Sequence, residues 1–456
     1  MTSQFDLAAQ KQNNVWAFGH HAGLDFNTSP PTPFESNLYT LEGNASISDN
    51  QGNLLFYTDG DSVWDRSHEV MPNGYGLLGG ESSSQAALIV PVPDSQTKYY
   101  VFTTGDFIPF SGLDFSVVDM SLNDGYGDVI AATKNTPLLD FSNEMITAIL
   151  HSNGKDIWIL SHKVNTNEFY AYLITNVGLS ANPVISSIGS IHQPSGEGSF
   201  PGQIRSSHNG LKIVSALTYK GVCEMFDFDA TTGLLTNYNN LQPLIGDQGV
   251  YGIEFSPNDS LVYLAGFSEM SDSNFVRQVS LYENPPQVKT VAYYPGVSEE
   301  FGSLQMGPDK KIYLARRFRD FVGVFHSPNL ISTLCQYEEE GLFLTSGTTS
   351  SYGLPNPSPY SFCPNITIPK DTTICYGDSL RLAIQLSSSF DCPQSYIWND
   401  GTTDTVKIIT QPGIYWLEVN NSFIVSRDTI IVDSSVHRTF LVTICEDEVY
   451  EGYEES

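Results

Sequence analysis

Basic residues are scarce in this chain: 21 lysines and arginines stand against 51 aspartates and glutamates, a formal net charge of -30 over 456 residues. A surface so negative repels phosphate backbones and anionic bilayers within a Debye length, about 8 Å at physiological salt, which excludes nucleic acid as a partner. Cysteines number six and none forms a CxxC pair, which removes the usual zinc-binding spacings. No apolar run is long enough to span a bilayer as a helix, so direct membrane insertion is not expected, and no long amphipathic helical period occurs. GxSxG elbow, HExxH, P-loop and EF-hand patterns are all missing, and the nine histidines are scattered. These absences weigh against catalysis by the common nucleophilic, zinc-dependent and nucleotide-dependent routes. The opening segment, MTSQFDLAAQKQNN, lacks the basic and apolar regions of a secretory signal; the expectation is that a signal has been removed.

Turn residues and strand formers are plentiful, with 37 Gly, 25 Pro, 24 Tyr and 26 Phe, and Val, Ile and Thr recur in short alternating runs. This is the composition of an all-β protein. One pattern repeats: a polar turn followed by a short apolar strand. It appears as SDNQGNLLFY from Ser48, PDSQTKYYVF from Pro93, HSNGKDIWIL from His151, SHNGLKIVSA from Ser207, SPNDSLVYLA from Ser256 and GPDKKIYLA from Gly307. Each turn carries Asn, Asp or Gly where a tight hairpin needs a positive φ or an Asx-turn. Recurrence every 45 to 60 residues, with several strands per unit, is the signature of β-propeller blades. A single blade cannot bury its own faces, so the units must close into a ring. The N-terminal run Val15 to Phe26 lacks such a turn, while Ser351 to Pro355 follows the sixth unit; joining the two completes a seventh blade, with six blades as the alternative.

After the proline-rich stretch Pro355 to Pro364 the pattern changes. DTTICYGDSLRLAI, SYIWNDGTTDTVKIIT and PGIYWLEVNNSFIVSRDTIIV form a compact strand series around Trp398, as in a small immunoglobulin-like or PKD-like sandwich. The expected organisation is a flexible N-terminus (1–12), a β-propeller (13–362), the sandwich (363–434) and an acidic tail or the start of a truncated further module (435–456). The last reading rests on an echo: Thr373-Ile374-Cys375 returns as Thr443-Ile444-Cys445. Cys375 with Cys392 is the favoured disulfide of the sandwich.

The runs NNVWAFGHHAGLDFN, EGNASISDNQGNLLFYTDGDSVWD, MPNG and SSSQAALIVPVPDSQTKYYVFT resemble the N-terminal propeller of large secreted Bacteroidetes proteins. In that family PKD-like repeats with DTTIC-type openings follow, and the chain ends in a gliding-motility-associated, type IX secretion sorting domain. The resemblance implies export to the extracellular space or the outer-membrane surface. It supplies no catalytic residues, because the family's molecular activity is undefined.

Candidate sites are few. Asp59, Asp61 and Asp65 in TDGDSVWD form the best carboxylate group, and hard oxygen ligands at that spacing suit Ca²⁺; an Asp-Gly-Asp segment also serves as a self-satisfied turn. Arg317 and Arg319 follow the sixth-unit strand, where alternation would place them on one face to clamp a carboxylate or sulfate of a polysaccharide. Adjacent His20 and His21 would point to opposite faces of a strand, a poor arrangement for one metal ion. The resulting expectation is a non-enzymatic surface module, adhesin-like, that recognises a glycan, polymer or surface protein and belongs to an array of further Ig- or PKD-like modules. Its rivals are a propeller enzyme that cleaves polysaccharide or peptide, with acids from several blades meeting at one channel mouth, and a structural spacer.

Overall fold

The computed structural model describes residues 11–106, 112–194, 200–246, 249–268, 272–281, 283, 286–296, 301–359, 372–375, 379–383, 394–404, 406–421 and 424–435. These fall into two compact units, 11–359 and 372–435.

The first unit is a β-propeller of seven antiparallel sheets. Blade 1 holds Val15–Phe18, His20–Asp25 and Thr32–Tyr39, and blade 2 holds Ala45–Ser48, Leu54–Thr58 and Val63–Asp65. Blades 3 and 4 begin with Ala87–Pro91 and Ser142–Leu150 and carry five strands each. Blades 5, 6 and 7 are four-stranded meanders that begin with Gly202–Ser206, Gly249–Phe255 and Phe301–Met306. From blade 2 onward the first strand of each sheet lies innermost, and these strands all run from an upper mouth to a lower one.

The repeated turns are the first hairpins of the blades, and their chemistry is backbone chemistry. Gly52, Asp94, Gly154, Gly210, Asp259 and Lys310 all have positive φ, between 54° and 91°, one in each of the six units. In the first unit Asp49 Oδ1 also accepts the amides of Gln51 and Asn53, an Asx-turn that holds the loop. The turns of blades 5 and 6 interlock: the Asp259 carboxylate accepts the amides of His208 and Asn209, each at 2.9 Å, and meets His208 Nδ1 at 2.9 Å. Burial alone would pull the His208 pKa down. The Asp259 bond and charge, with Glu254, raise it instead, so the imidazole is held as a buried partner of acids.

Apolar residues pack between neighbouring sheets rather than in one central core. Leu88, Phe102, Ile146 and Ile159 join blades 3 and 4, Phe169, Ile204, Ile213 and Phe226 join blades 4 and 5, and Val214, Ile253, Val262 and Leu264 join blades 5 and 6. Each such side chain contributes about 1.5–3 kcal/mol relative to exposure, so every blade depends on both neighbours.

Closure falls to blade 1, which has only three strands of its own. Residues 349–358, called the strap below, occupy its axial position. Thr349 and His20 form an antiparallel bridge, Ser303 donates its amide to Tyr352 O at 2.7 Å, and Tyr352 donates to Leu41 O at 2.9 Å. Further down, Asn356 donates to Asn44 O, and Asn13 and Ser358 exchange a reciprocal pair of bonds across 345 residues. Trp16, Phe18 and Phe26 then pack with Tyr313, Val324 and Leu354 to seal blade 1 to blade 7. Blade 1 is thus completed from both ends of the unit, as the joining of Val15 to Phe26 with Ser351 to Pro355 expects. Asn356 also bonds Gln85, which reaches the amides of Ile146 and Ile204, so the strap is tied across the axis to blades 3, 4 and 5.

In the second unit Thr372–Cys375 pairs in parallel with Ile424–Ser435, which continues antiparallel to Gly413–Asn421 and then Gln394–Trp398; Leu380–Ala383 and Val406–Ile409 form a separate pair. Fully buried Trp398 sits among Ile374, Leu382, Ile409, Leu417 and Ile430. Cys392, the side chain of Cys375 and residues 436–456 lie outside the described residues, and with them the expected disulfide and tail.

Gly353 tests the closure. A Cβ there would meet Glu42 O at 1.8 Å, a backbone atom that cannot swing aside. Gly353→Ala is expected to destabilise the propeller by about 2–3 kcal/mol in urea unfolding, as overpacking does, although the side chain gains only a methyl group.

Candidate functional site

At the upper mouth the starts of the innermost strands bring together four residues widely separated in sequence. Glu42 precedes the first strand of blade 2, Ser84 that of blade 3, and Glu144 and Tyr251 lie near the starts of those of blades 4 and 6. Ser84 Oγ stands 3.1 Å from Glu42 Oε2 and 3.0 Å from Glu144 Oε2, and it accepts the Gly202 amide at 3.1 Å. Tyr251 donates its hydroxyl to Glu42 Oε2 at 2.7 Å, and Ser82 donates to Glu42 Oε1 at 3.2 Å. A third acid follows: the Ser82 amide points at Asp106 Oδ2.

Counting protons fixes the state of this cluster. A serine hydroxyl has one hydrogen and two lone pairs. With Gly202 N–H on one lone pair, Ser84 can satisfy two carboxyls only by donating to one and accepting from the other. Both Glu144 oxygens already face main-chain donors, Oε1 the Phe200 amide at 2.6 Å and Oε2 the Ser84 amide at 3.1 Å. The pair therefore keeps one proton between its two carboxyls. Burial pushes both carboxyls up, Glu42 to about 7. Their mutual repulsion adds to the effect on Glu144, and the Asp106 charge adds to the effect on Glu42.

The expected acids at Asp59, Asp61 and Asp65 are arranged otherwise. Asp59 Oδ1 accepts the amides of Asp61 and Ser62, and Asp61 accepts the Ser62 hydroxyl. Asp65 lies at the far end of strand Val63–Asp65 and accepts the Ser67 amide at 2.7 Å. Each thus serves its own turn, and the three do not converge. Among the described residues no group of three or more His, Cys, Asp or Glu side chains is placed to hold a metal ion. Burial still lifts the Asp59 carboxyl to about 6 against those two amides.

The strand before the arginines ends at Arg316, and Phe318 turns into the left-handed region at φ 56°, so the alternation expected for Arg317 and Arg319 stops short. Arg316 is the buried one: it bonds Glu339 and lies over Phe301, 4.7 Å from the ring centre. Arg317 lies 4.8 Å from the ring centres of both Phe318 and Tyr352, and Arg319 is exposed on the same turn.

Beside Arg317 an aromatic platform crosses the seam between blades 7 and 1. His20 stacks on Tyr39, with ring centres 4.3 Å apart and 8° between planes, and Phe318 lies 5.5 Å from His20. Tyr39 and Phe318 are 55% and 52% exposed, unusual for rings that already touch one another. A bulky residue at positive φ is strained, and the cost is retained here to hold Phe318 outward.

No protein-family model matches the chain, and no curated protein does. Solved structures resemble it in outline. A protein from Lactobacillus plantarum is 12% identical with a TM-score of 0.46, covering 75% of this chain and 99% of that one. The periplasmic gluconolactonase of Pseudomonas aeruginosa is 12% identical at 0.39, covering 83% and 95%. The propeller domain of Myceliophteria thermophila Cps50 is 11% identical at 0.38, covering 68% and 94%. Likeness at this level bears on neither activity nor ligand.

Two amide substitutions separate the roles of the paired acids. Glu42→Gln mimics the protonated acid, since its Nε2 can donate to Ser84, and is expected to leave stability near pH 5 within about 0.5 kcal/mol. The native Glu42 carboxyl is raised from 4.5 to about 7, so its favourable share is complete below 4.5 and fades as pH rises through 7. Glu42→Gln should therefore be the more stable protein at pH 8. Glu144→Gln sets an NH₂ against a main-chain N–H and should cost roughly 2 kcal/mol at any pH. Urea unfolding at pH 5 and pH 8 measures both.

Proposed function

We propose that the propeller is a non-enzymatic binding module that acts outside the cell and holds a neutral glycan on the His20, Tyr39 and Phe318 platform. The exposed aromatic platform carries this reading. Flat rings with half of their area in water match the apolar faces of sugar rings, and Arg317 and Arg319 stand beside them with donors suited to hydroxyl oxygens. The net charge of -30 disfavours a polyanionic polymer at longer range. The axis is filled by the strap and its bonds to Gln85, so a ligand would rest on the mouth rather than thread the ring. Export, display at the cell surface and the company of further Ig- or PKD-like modules are proposed on the sequence resemblance. Ca²⁺ at Asp59 to Asp65 is not needed for this reading.

One observation favours a hydrolytic alternative. Glu42, its carboxyl pushed up to about 7 by burial beside Glu144, titrates in the range of a general acid. Against it, every oxygen of the pair already has a partner within the protein, and Glu144 is fully buried.

The test is calorimetry of the whole chain with laminarin, galactomannan and xyloglucan, beside alginate and polygalacturonate, with product analysis of the same mixtures. Binding of a neutral polymer without cleavage is expected. Phe318→Ala and Tyr39→Ala should each weaken it about tenfold or more, as loss of one stacking ring does. Cleavage abolished by Glu42→Gln would establish the hydrolase instead, and indifference to both aromatic substitutions would remove the platform.

A further inference from the structure

At the lower mouth the six repeats depart from one another. The penultimate residue of the innermost strand is Ile47, Val90 and Ile149 in blades 2, 3 and 4, but Arg205, Glu254 and Gln305 in blades 5, 6 and 7. All six are buried. A guanidinium, a carboxylate and an amide are costly to bury unless each finds partners, and the first two find them on the blade that follows. Arg205 Nε donates to Ile253 O of blade 6 at 3.3 Å and its Nη2 to Leu304 O of blade 7 at 3.2 Å. Glu254 accepts its neighbour's amide, that of Phe255, and the amide of Met306 in blade 7, each at 2.8 Å.

Gln305 breaks the series. The blade that follows it in the ring is blade 1, whose axial position the strap holds. Gln305 Nε2 donates to Met306 O at 3.1 Å, which fixes the orientation of the amide, and among the described residues its Oε1 has no hydrogen-bond partner. The strap explains why. Pro357 and Pro359 have no N–H to offer, and the Ser358 amide is taken by Asn13 Oδ1. Gln305 and both prolines line one cavity of about 40 Å³, partly open to solvent and bordered also by Arg205, Glu254 and Ala148. A buried acceptor without a donor weakens the fold, so its retention at the wall of an open cavity points to a donor that enters from solvent.

We propose that this cavity is a subsite for the hydroxymethyl group of a neutral sugar, with the sugar O–H donating to Gln305 Oε1. Size sets the first limit: one water needs about 10–15 Å³ of such space, so the cavity takes about three water-sized atoms and holds a side group while the ring stays outside. Charge sets the second. Arg205 and Glu254 border the same space, so an anion meets the carboxylate and a cation meets the guanidinium. A hydroxyl on a CH₂ group suits the remainder, with its apolar carbon against Ala148 and the prolines. The subsite stands on the cavity and not on the His20, Tyr39 and Phe318 platform, so the two hold or fail separately.

The experiment is saturation-transfer NMR on the whole chain with methyl β-glucopyranoside, methyl β-xylopyranoside, which differs by lacking the hydroxymethyl group, and methylammonium, each against the native protein, Gln305→Leu and Phe318→Ala. Crystals of the native protein soaked in the glucoside give a readout that depends on no variant. Transfer from the glucoside is expected in the native protein and in Phe318→Ala, at least about tenfold weaker in Gln305→Leu and for the xyloside, with glucoside density at Gln305 Oε1. Equal transfer from the xyloside, preference for methylammonium, or a signal lost in Phe318→Ala and kept in Gln305→Leu overturns the subsite. Density for ordered water only, with the glucoside silent in solution, overturns it as well and makes the cavity a hydration site.

Discussion

Everything in this propeller depends on closing a ring whose sheets cannot bury their faces alone. Six sheets carry their own axial strand, and the first borrows it from residues 349–358. The strap meets blades 7, 1, 2 and 3 through main-chain bonds and paired amides, so it ties the two ends of the unit at the place where an open ring would fray. Its contacts explain why the polar residues of the axis are amides and hydroxyls. Gln85, Asn356, Asn13 and Ser358 have matching donors and acceptors, and they satisfy the backbone of a segment that has no regular ladder.

Placing the strap there has a chemical consequence. The loop that receives it also carries Glu42, and the starts of the next strands bring Ser84, Glu144 and Tyr251 to the same point. Two acids cannot both be charged in so enclosed a place. One proton is retained between them. On the solvent side of the strap the exposed rings of Tyr39 and Phe318 stand on the seam, where the two ends of the unit meet.

The propeller was legible because its turns repeat: SDNQG, HSNG, SHNG and SPND each place a residue suited to positive φ at the same step of the hairpin. Closure of Val15 to Phe26 by Ser351 to Pro355 was legible too, since one end lacked a turn and the other arrived without a blade. The site was not. Glu42, Ser84, Glu144 and Tyr251 are 42 to 209 residues apart, and only the ring brings them together. A clue existed in SNEMITAIL, where an acid interrupts a strand that is buried along its whole length. Asp59, Asp61 and Asp65 stand out in the sequence because they are close together, and each accepts bonds within its own turn. Arg317 and Arg319 were noticed for their charge, while the platform beside them is built from His20, Tyr39 and Phe318, which join only when the ends of the unit meet.

Closure by the strap is the claim on which the site stands, and a designed crosslink tests it most directly. The Asn13 side-chain amide exchanges two hydrogen bonds with the Ser358 backbone, so Asn13→Cys with Ser358→Cys sets two cysteines on facing segments across 345 residues. The strap account predicts that the folded protein forms this disulfide readily, detected by peptide mass mapping. Thermal unfolding should then show a gain of roughly 4–5 kcal/mol, as expected for so long a loop. Failure of the two cysteines to join in the native protein, with both accessible to alkylation, would show that residues 349–358 do not lie along blade 1 and would contradict the account.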